Sequence, residues 1–486
     1  MTSVMWFRKD LRLRDNVALQ TACDTARQQG VPVRAVFVDT PGQYGLHGTS
    51  ASQLYLMRAS VVSVRDSLQS LGIPLDVVTC DTFADVPETL AQYKDEWQVT
   101  HLFAQAEPEW NERLRDQAVL DAGLPLTLLG HSTILPFGLV RNLTGSRYKV
   151  FTPYCHRWFE IAATHNLTPL PEPRPLPEMC ANQGAAHAAV NGALFDGLDK
   201  STSTAQLVAA RWPIGEVQAH KALEAFVDEG LLEYDRDRDI PICDGTSALS
   251  PFLALGVLSP RQCLAAVMAQ YPDLLVNAAS GGRAWVRQLV WREFYHNLLF
   301  EVPRVARGGN YQTLGDNIVW RQAPNEFQAW AEGRTGYPLV DAAMRQLVQT
   351  GWMHNRLRMV AASFLSKHLL IDWRQGEAFF AAHLVDNDQA SNNGGWQWSA
   401  GTGCDAQPYF RMFNPASQSQ KFDSQAAFIR QFVPELAPVP AKAIHQMRNL
   451  RAMSKDQSYP DPIVPHAAAR QRALAALSVL KKTATG

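Results

Sequence analysis

Two short segments hold the side chains of this 486-residue chain best suited to chemistry. One runs Gly351-Trp-Met-His-Asn-Arg-Leu-Arg-Met359, the other Asp386-Asn-Asp-Gln-Ala-Ser-Asn-Asn-Gly-Gly-Trp-Gln-Trp398. They place arginines, amides and aspartates among tryptophans, where a buried charge must be paired or must hold a polar ligand. On a helix, Trp352, Asn355, Arg356 and Met359 stand at i, i+3, i+4 and i+7 and share one face. A ring, an amide, a cation and a thioether on one face suit a flat aromatic partner with polar edges. Arg358, Asp386 and Asp388 supply the charge. On local grounds such a trio is first of all a structural ion pair.

A third segment, Thr246-Ser-Ala-Leu-Ser250, precedes an expected helix. Its hydroxyls and backbone N–H groups suit a diphosphate, and they suit helix capping as well. Gln288, Trp291, Arg292 and Tyr295 repeat the i, i+3, i+4, i+7 spacing and predict one helical face. No cysteine and histidine cluster has the spacing of a zinc site, so no metal is expected.

The elements that must position these groups fall into two classes. Val4–Phe7, Val33–Val38, Leu75–Thr79, His101–Ala104 and Leu124–Leu129 read as strands, and stretches such as Ala51–Leu71 read as helices. That alternation predicts a parallel α/β sheet with helices on both faces over residues 1–130. No GxGxxG turn follows the first strand, which argues against a nicotinamide cofactor. Residues 131–205 read as an interdomain connector, ending in a Pro-, Ala- and Asn-rich linker over 166–205. From 206 to 486 the pattern is all-α, with breaks expected at Pro241, Pro260, Pro303 and Pro338. Eight of the thirteen tryptophans lie between 285 and 398, so the aromatic density belongs to this helical part.

With 45 basic and 46 acidic residues the net charge is −1, so nucleic-acid binding must come from a local basic patch rather than a global field. Seven scattered cysteines without CxxC pairs predict reduced thiols in the cytoplasm. No leader peptide and no membrane span are expected.

Taken with Val4-Met-Trp-Phe-Arg-Lys-Asp-Leu-Arg-Leu-Arg-Asp-Asn16, Trp285-Val-Arg-Gln-Leu-Val-Trp-Arg-Glu-Phe-Tyr295 and Pro408-Tyr-Phe-Arg-Met-Phe-Asn-Pro415, these segments closely resemble bacterial class I photolyases that repair cyclobutane pyrimidine dimers. The resemblance implies FAD in an all-helical catalytic domain, joined to an α/β antenna domain. Tyr234, Thr246, Ser247, Leu249 and Ser250 match positions that hold its phosphates and ribitol. Ala248 stands where the family often has a basic or polar residue. Trp285, Arg292, Trp352 and Asn355 complete the cofactor pocket. Arg358, Asp386 and Asp388 match positions against the flavin ring, and Asn392 matches the residue facing flavin N5. Trp396, Trp373 and Trp320 match an electron-hopping chain, though three tryptophans in a helical core also serve as packing.

The same resemblance implies a lesion pocket of Gln288, Trp291, Asn355, Met359 and Trp398, with Asn392 completing the catalytic set, for a flipped-out dinucleotide. Gln288 replaces the family's usual glutamate. Arg238, Arg356, Arg411 and Lys421 match phosphate contacts. Arg358 occupies the place of the second histidine used on (6-4) photoproducts, which leaves the cyclobutane dimer as substrate. His47, Asn111, Glu112 and Arg307 match a cleft for the antenna 5,10-methenyltetrahydrofolate; Arg307 replaces a lysine. A monomer acting on dimer-containing DNA is expected. The alternatives are a cryptochrome-like photoreceptor and a dark flavin redox enzyme. Asn392, the Trp291/Trp398 pair and the lack of a long tail stand against the first, the missing nicotinamide fingerprint against the second.

Overall fold

Every residue of strand β1 (Thr2–Phe7) is buried, as a strand covered on both faces requires. In the computed structural model, which describes residues 1–177 and 203–481, β1 pairs in parallel with β2 (Val33–Asp39) and β4 (Val99–Gln105). Strands β3 (Leu75–Thr79) and β5 (Leu126–Leu129) close the two edges, giving the order β3-β2-β1-β4-β5. All five expected strands are present. One face is sealed by Val4, Trp6, Val36, Val38, Leu102 and Ala104. The strand order reverses at β1, so the ends of β1 and β4 open a crevice of the kind in which α/β sheets hold ligands.

The described residues form two compact units. The first comprises Met1–Leu232, Ser247–Glu301 and Val385–Asp388; the second comprises Glu233–Thr246, Val302–Leu384 and Gln389–Gly486. Besides the sheet, the first unit contains helices Phe151–Ala162 and Arg283–Glu301. The former lies in the stretch read from sequence as connector. The linker reading over 166–205 falls largely on residues outside those described.

The second unit is helical, around a core that includes Trp330, Tyr337, Leu357, Phe364, Trp373 and Trp396. The expected breaks at Pro260, Pro303 and Pro338 are present, and each proline opens the helix that follows the break. Pro260, Pro303 and Pro338 are the first residues of helices Pro260–Gln270, Pro303–Ala306 and Pro338–Thr350. A proline's fixed φ suits that position, and its missing N–H has no partner there in any case.

One sequence expectation is corrected. Trp352 does not share a helix with Asn355, Arg356 and Met359. Helix Pro338–Thr350 ends at Gly351, left-handed with φ 68°, and the next helix, Asn355–Ser363, starts only after His354. The His354 ring accepts from the N–H of Arg356 and so caps that helix, leaving Trp352 buried in the preceding link. A regular period cannot reveal a cap made by histidine, which is not a common capping residue. Among the described residues, no helix is long and apolar enough to cross a membrane.

Candidate active site

Helix Arg283–Glu301 carries much of the first unit's chemistry. Its spacing prediction holds: Gln288, Trp291, Arg292 and Tyr295 are all half-buried along it. Trp291 stacks on Phe151 with ring centroids 3.6 Å apart and planes 8° apart. The Gln288 side-chain amide donates to the Ala284 carbonyl at 3.3 Å. Trp285 is buried, tilted against Phe226 at 5.1 Å.

Asp388 lies 2.8 Å from Nε2 of His296 and 3.8 Å from the Arg292 guanidinium. Both partners stand on the same helix, four residues apart. Ser132 fixes them from behind: its carbonyl accepts from Arg292 at 2.6 Å, and its hydroxyl lies 3.2 Å from His296 Nδ1. Asp386 accepts from the Ser250 hydroxyl at 2.6 Å. The segment bearing both aspartates is pinned by Gln53, whose amide donates to the Asn387 carbonyl at 2.7 Å. His296, Ser132 and Phe151 were not singled out from sequence. A lone histidine four residues after an arginine carries little signal.

Glu293 anchors this helix. Its buried carboxyl accepts from the Trp158 indole at 2.7 Å and from the N–H groups of Ile134 and Leu135 at 2.8 and 3.3 Å. Burial, opposed by these bonds, raises its pKa to about 7.

The turn at Ser247–Ser250 also belongs to the first unit. Ala248 is left-handed, with φ 50°, and Leu249 right-handed, with φ −86° and ψ −3°. Adjacent residues of opposite hand aim successive N–H groups into one concavity, an arrangement that binds anions. The Ala248 methyl therefore costs less than the sequence implies, because backbone rather than side chain makes this cradle. The Trp212 indole holds the turn by donating to the Ala248 carbonyl at 3.0 Å.

In the second unit, Tyr234 is buried with the Arg238 guanidinium 5.7 Å from its ring centre, and Thr246 is half-buried. Asn355 is exposed, and Met359 and Trp398 are half-buried. Arg358 donates to the Met353 carbonyl at 2.8 Å. Arg356 is an ion-pair member as well as a candidate phosphate contact. It bonds Asp239 at 2.7 Å and lies 4.5 Å from the Phe422 ring centre. Arg411 and Lys421 are exposed.

Asn392 donates to the Glu377 backbone carbonyl at 3.1 Å, and neighbouring Asn393 donates to the Glu377 carboxyl at 2.9 Å. Burial raises the Glu377 pKa to about 7, opposed by that bond. Trp396 and Trp373 are fully buried in the core cluster, and half-buried Trp320 packs against it. Trp373 donates to Asn310 at 3.0 Å, whereas the buried Trp396 indole N–H has no acceptor among the described residues. Trp396 packs over Gly376, where an added Cβ would meet the ring at 2.1 Å. Within the first unit, an anion cradle flanked by the Ser247 and Ser250 hydroxyls and a cluster of carboxylates and cations fit a flavin dinucleotide.

Of the antenna candidates, His47, Asn111 and Glu112 belong to the first unit, and the first two are in contact. The amide nitrogens of Gln43 and Asn111 both lie 2.9 Å from His47 Nε2, and Phe83 packs edge-on against the His47 ring at 5.7 Å. Burial, reinforced by Lys9 and Arg115, lowers the His47 pKa to about 4, so the ring is neutral near pH 7. Lys9, just beyond β1, pairs with Glu109 at 3.3 Å and Glu112 at 3.6 Å, just beyond β4. This is the crevice at the strand-order reversal. Arg307 is an exposed residue of the second unit.

A family model described as DNA photolyase matches residues 3–178, and one described as the FAD binding domain of DNA photolyase matches residues 285–479. The chain is 42% identical to the deoxyribodipyrimidine photo-lyase of Escherichia coli strain K12, over 99% of each chain. It also resembles the crystal structure of a bacterial class III photolyase from Agrobacterium tumefaciens. The TM-score is 0.82 at 33% identity, covering 99% of this chain and 98% of that one. For an archaeal photolyase from Sulfolobus tokodaii with two FAD molecules the TM-score is 0.80 at 28% identity, covering 98% and 100%.

Proposed function

The chain belongs to the DNA photolyase family, and from that premise we propose that it repairs cyclobutane pyrimidine dimers in DNA under light. The observation that carries this reading is helix Arg283–Glu301. One stretch of it offers half-buried Gln288 and a stacked Trp291, suited to a dinucleotide. The same helix fixes Asp388 through Arg292 and His296, suited to a cofactor edge.

FAD supplies, when reduced and excited by light, the electron that splits the cyclobutane ring. The protein's own groups bind, orient and exclude water. The cradle at Ser247–Ser250, with Thr246 and Tyr234, would take the diphosphate and ribitol, and Trp285, Trp352 and Asn355 the rest of the cofactor. Arg292 and His296 hold and aim the Asp388 carboxyl, so that it can accept from an imide N–H. Arg358 and Asp386 would lie against the ring system. Asn392 would present a neutral amide, which can donate or accept without giving up a proton. Trp291 and Trp398 would offer apolar faces to the flipped bases, with Met359 and Asn355 beside them. Gln288 would direct its amide toward the pyrimidine edge, where a preorganised donor helps a developing negative charge. Trp396, Trp373 and Trp320 would carry electrons inward, and Arg238, Arg356 and Arg411 would take phosphates.

In this reading residues 1–130 form an antenna domain, 131–205 a connector and 206–486 the catalytic domain. The protein is a cytoplasmic monomer. The antenna is methenyltetrahydrofolate, held by His47, Asn111, Glu112 and Arg307. A neutral His47 that can hydrogen-bond and an aromatic neighbour, Phe83, suit a pterin. Reconstitution with methenyltetrahydrofolate tests it, read as flavin excitation through the folate band; no transfer would reject folate.

Loss of dimers from an irradiated oligonucleotide, in the dark and under blue light, tests the activity. Light-dependent loss is expected. A protein that photoreduces but never repairs would be a photoreceptor instead.

A further inference from the structure

Lys367 is fully buried in the second unit, in the π-helical turn Phe364–His368. Such turns are rare insertions, often found at functional sites. Among the described residues its amine has two acceptors, both neutral: the Gln407 side-chain oxygen at 3.2 Å and the Arg411 backbone carbonyl at 2.5 Å. Burial lowers its pKa to about 7, and an amine donates hydrogen bonds whether or not it is charged. A methionine would fill a comparable space without the cost of taking an amine out of water. The amine therefore gives the fold something that packing does not.

What it gives is a fixed connection. Gln407, which accepts from Lys367, donates its own N–H to the carbonyl of Trp398 at 3.1 Å. Gln407 and Lys367 thus form a short bridge from Trp398, through buried atoms, to the backbone of Arg411. Arg411 is exposed and follows a tight turn in which its N–H reaches the Pro408 carbonyl at 2.9 Å. Phosphate contacts set the register of a nucleic acid on a protein, and base contacts read it. A flipped dinucleotide needs both at a constant separation.

We propose that Lys367 is a positioning residue for dimer recognition, tying the loop that bears Arg411 to the backbone of Trp398. This rests on the reading of Arg411 as a phosphate contact and of Trp398 as a lesion-facing ring. Lys367 itself touches no DNA.

The test is a double-mutant cycle on the flavin-loaded protein, titrating a dimer-containing oligonucleotide at several salt concentrations. Lys367→Met should raise Kd about tenfold. Although buried, it should also flatten the salt dependence toward that of Arg411→Ala, by up to about 0.9 in slope. Added to Arg411→Ala, it should cost less than about a further twofold, because coupled residues do not add. Should Lys367→Met fail to retain flavin, Gln407→Leu replaces it in the same cycle with the same expectation. Wild-type affinity for the Lys367 variant beside a weakened Arg411→Ala would overturn the proposal, as would full additivity. If Arg411→Ala itself binds as wild type with an unchanged slope, the phosphate reading of Arg411 fails and the proposal falls with it.

Discussion

Trp291 lies on Phe151 with their planes only 8° apart, so one face of the indole is already spent on a protein ring. The other face is thereby held in a set plane. Phe151→Leu should loosen the indole and weaken dimer binding. Aromatic pairs contribute about 0.5–1.5 kcal/mol beyond area, so the expected loss is a few-fold to about tenfold in Kd. Titration with dimer-containing and undamaged oligonucleotides measures it. Equal loss for both would mean that the stack serves the fold rather than the lesion.

Trp396→Phe should stop light-driven reduction of oxidised flavin by an external thiol, because phenylalanine is far harder to oxidise. Repair by chemically pre-reduced enzyme should survive. Photoreduction at the wild-type rate would leave Trp396 as packing.

Gln288 spends an amide hydrogen on its own helix at Ala284. A glutamate could not make that bond while ionised, and when protonated it could donate to a developing charge. Gln288→Glu should raise repair per absorbed photon and change dimer affinity by less than about 1.4 kcal/mol, a tenfold factor. Quantum yield and affinity, both with fully reduced flavin, decide it. Equal yields would make the substitution neutral.

Asp239 holds Arg356 at 2.7 Å and competes with any phosphate for it. Asp239→Asn should tighten DNA binding by a few-fold at low salt, with the advantage shrinking as salt rises. Kd measured across a salt series checks this. A weaker complex would mean that Asp239 aims Arg356 rather than restraining it.

Glu377 binds its proton more tightly when folded, up to about pH 7, than the ordinary carboxyl value of 4.5. The stability from that proton is present below pH 4.5 and is lost as pH rises through about 7. Glu377→Gln keeps an oxygen for Asn393 and never ionises. Its stability advantage should be absent near pH 4.5 and grow to at most about 3 kcal/mol by pH 8. Thermal unfolding of both proteins across that range measures it, and a constant difference would refute the shift.

The sheet was legible because buried parallel strands are short apolar runs bounded by turns, and five such runs predicted five strands. The face Gln288–Trp291–Arg292–Tyr295 was legible because its helix is uninterrupted. Trp352 was misplaced because His354, an unusual cap, starts a new helix behind it. The breaks at the prolines were legible because a residue that cannot continue one helix is well suited to the first position of the next. The partners of Asp388 were out of reach for another reason. His296 and Arg292 lie about 90 positions away, and no local period records a contact made by folding.

Gly376 leaves open the space that the Trp396 ring fills. If electrons pass through that ring, the spacing of their path is encoded partly at a position with no side chain. A survey of oxidisable residues would pass over it. One methyl group there would displace the relay without removing any member of it, and would separate the effect of distance from that of chemical identity.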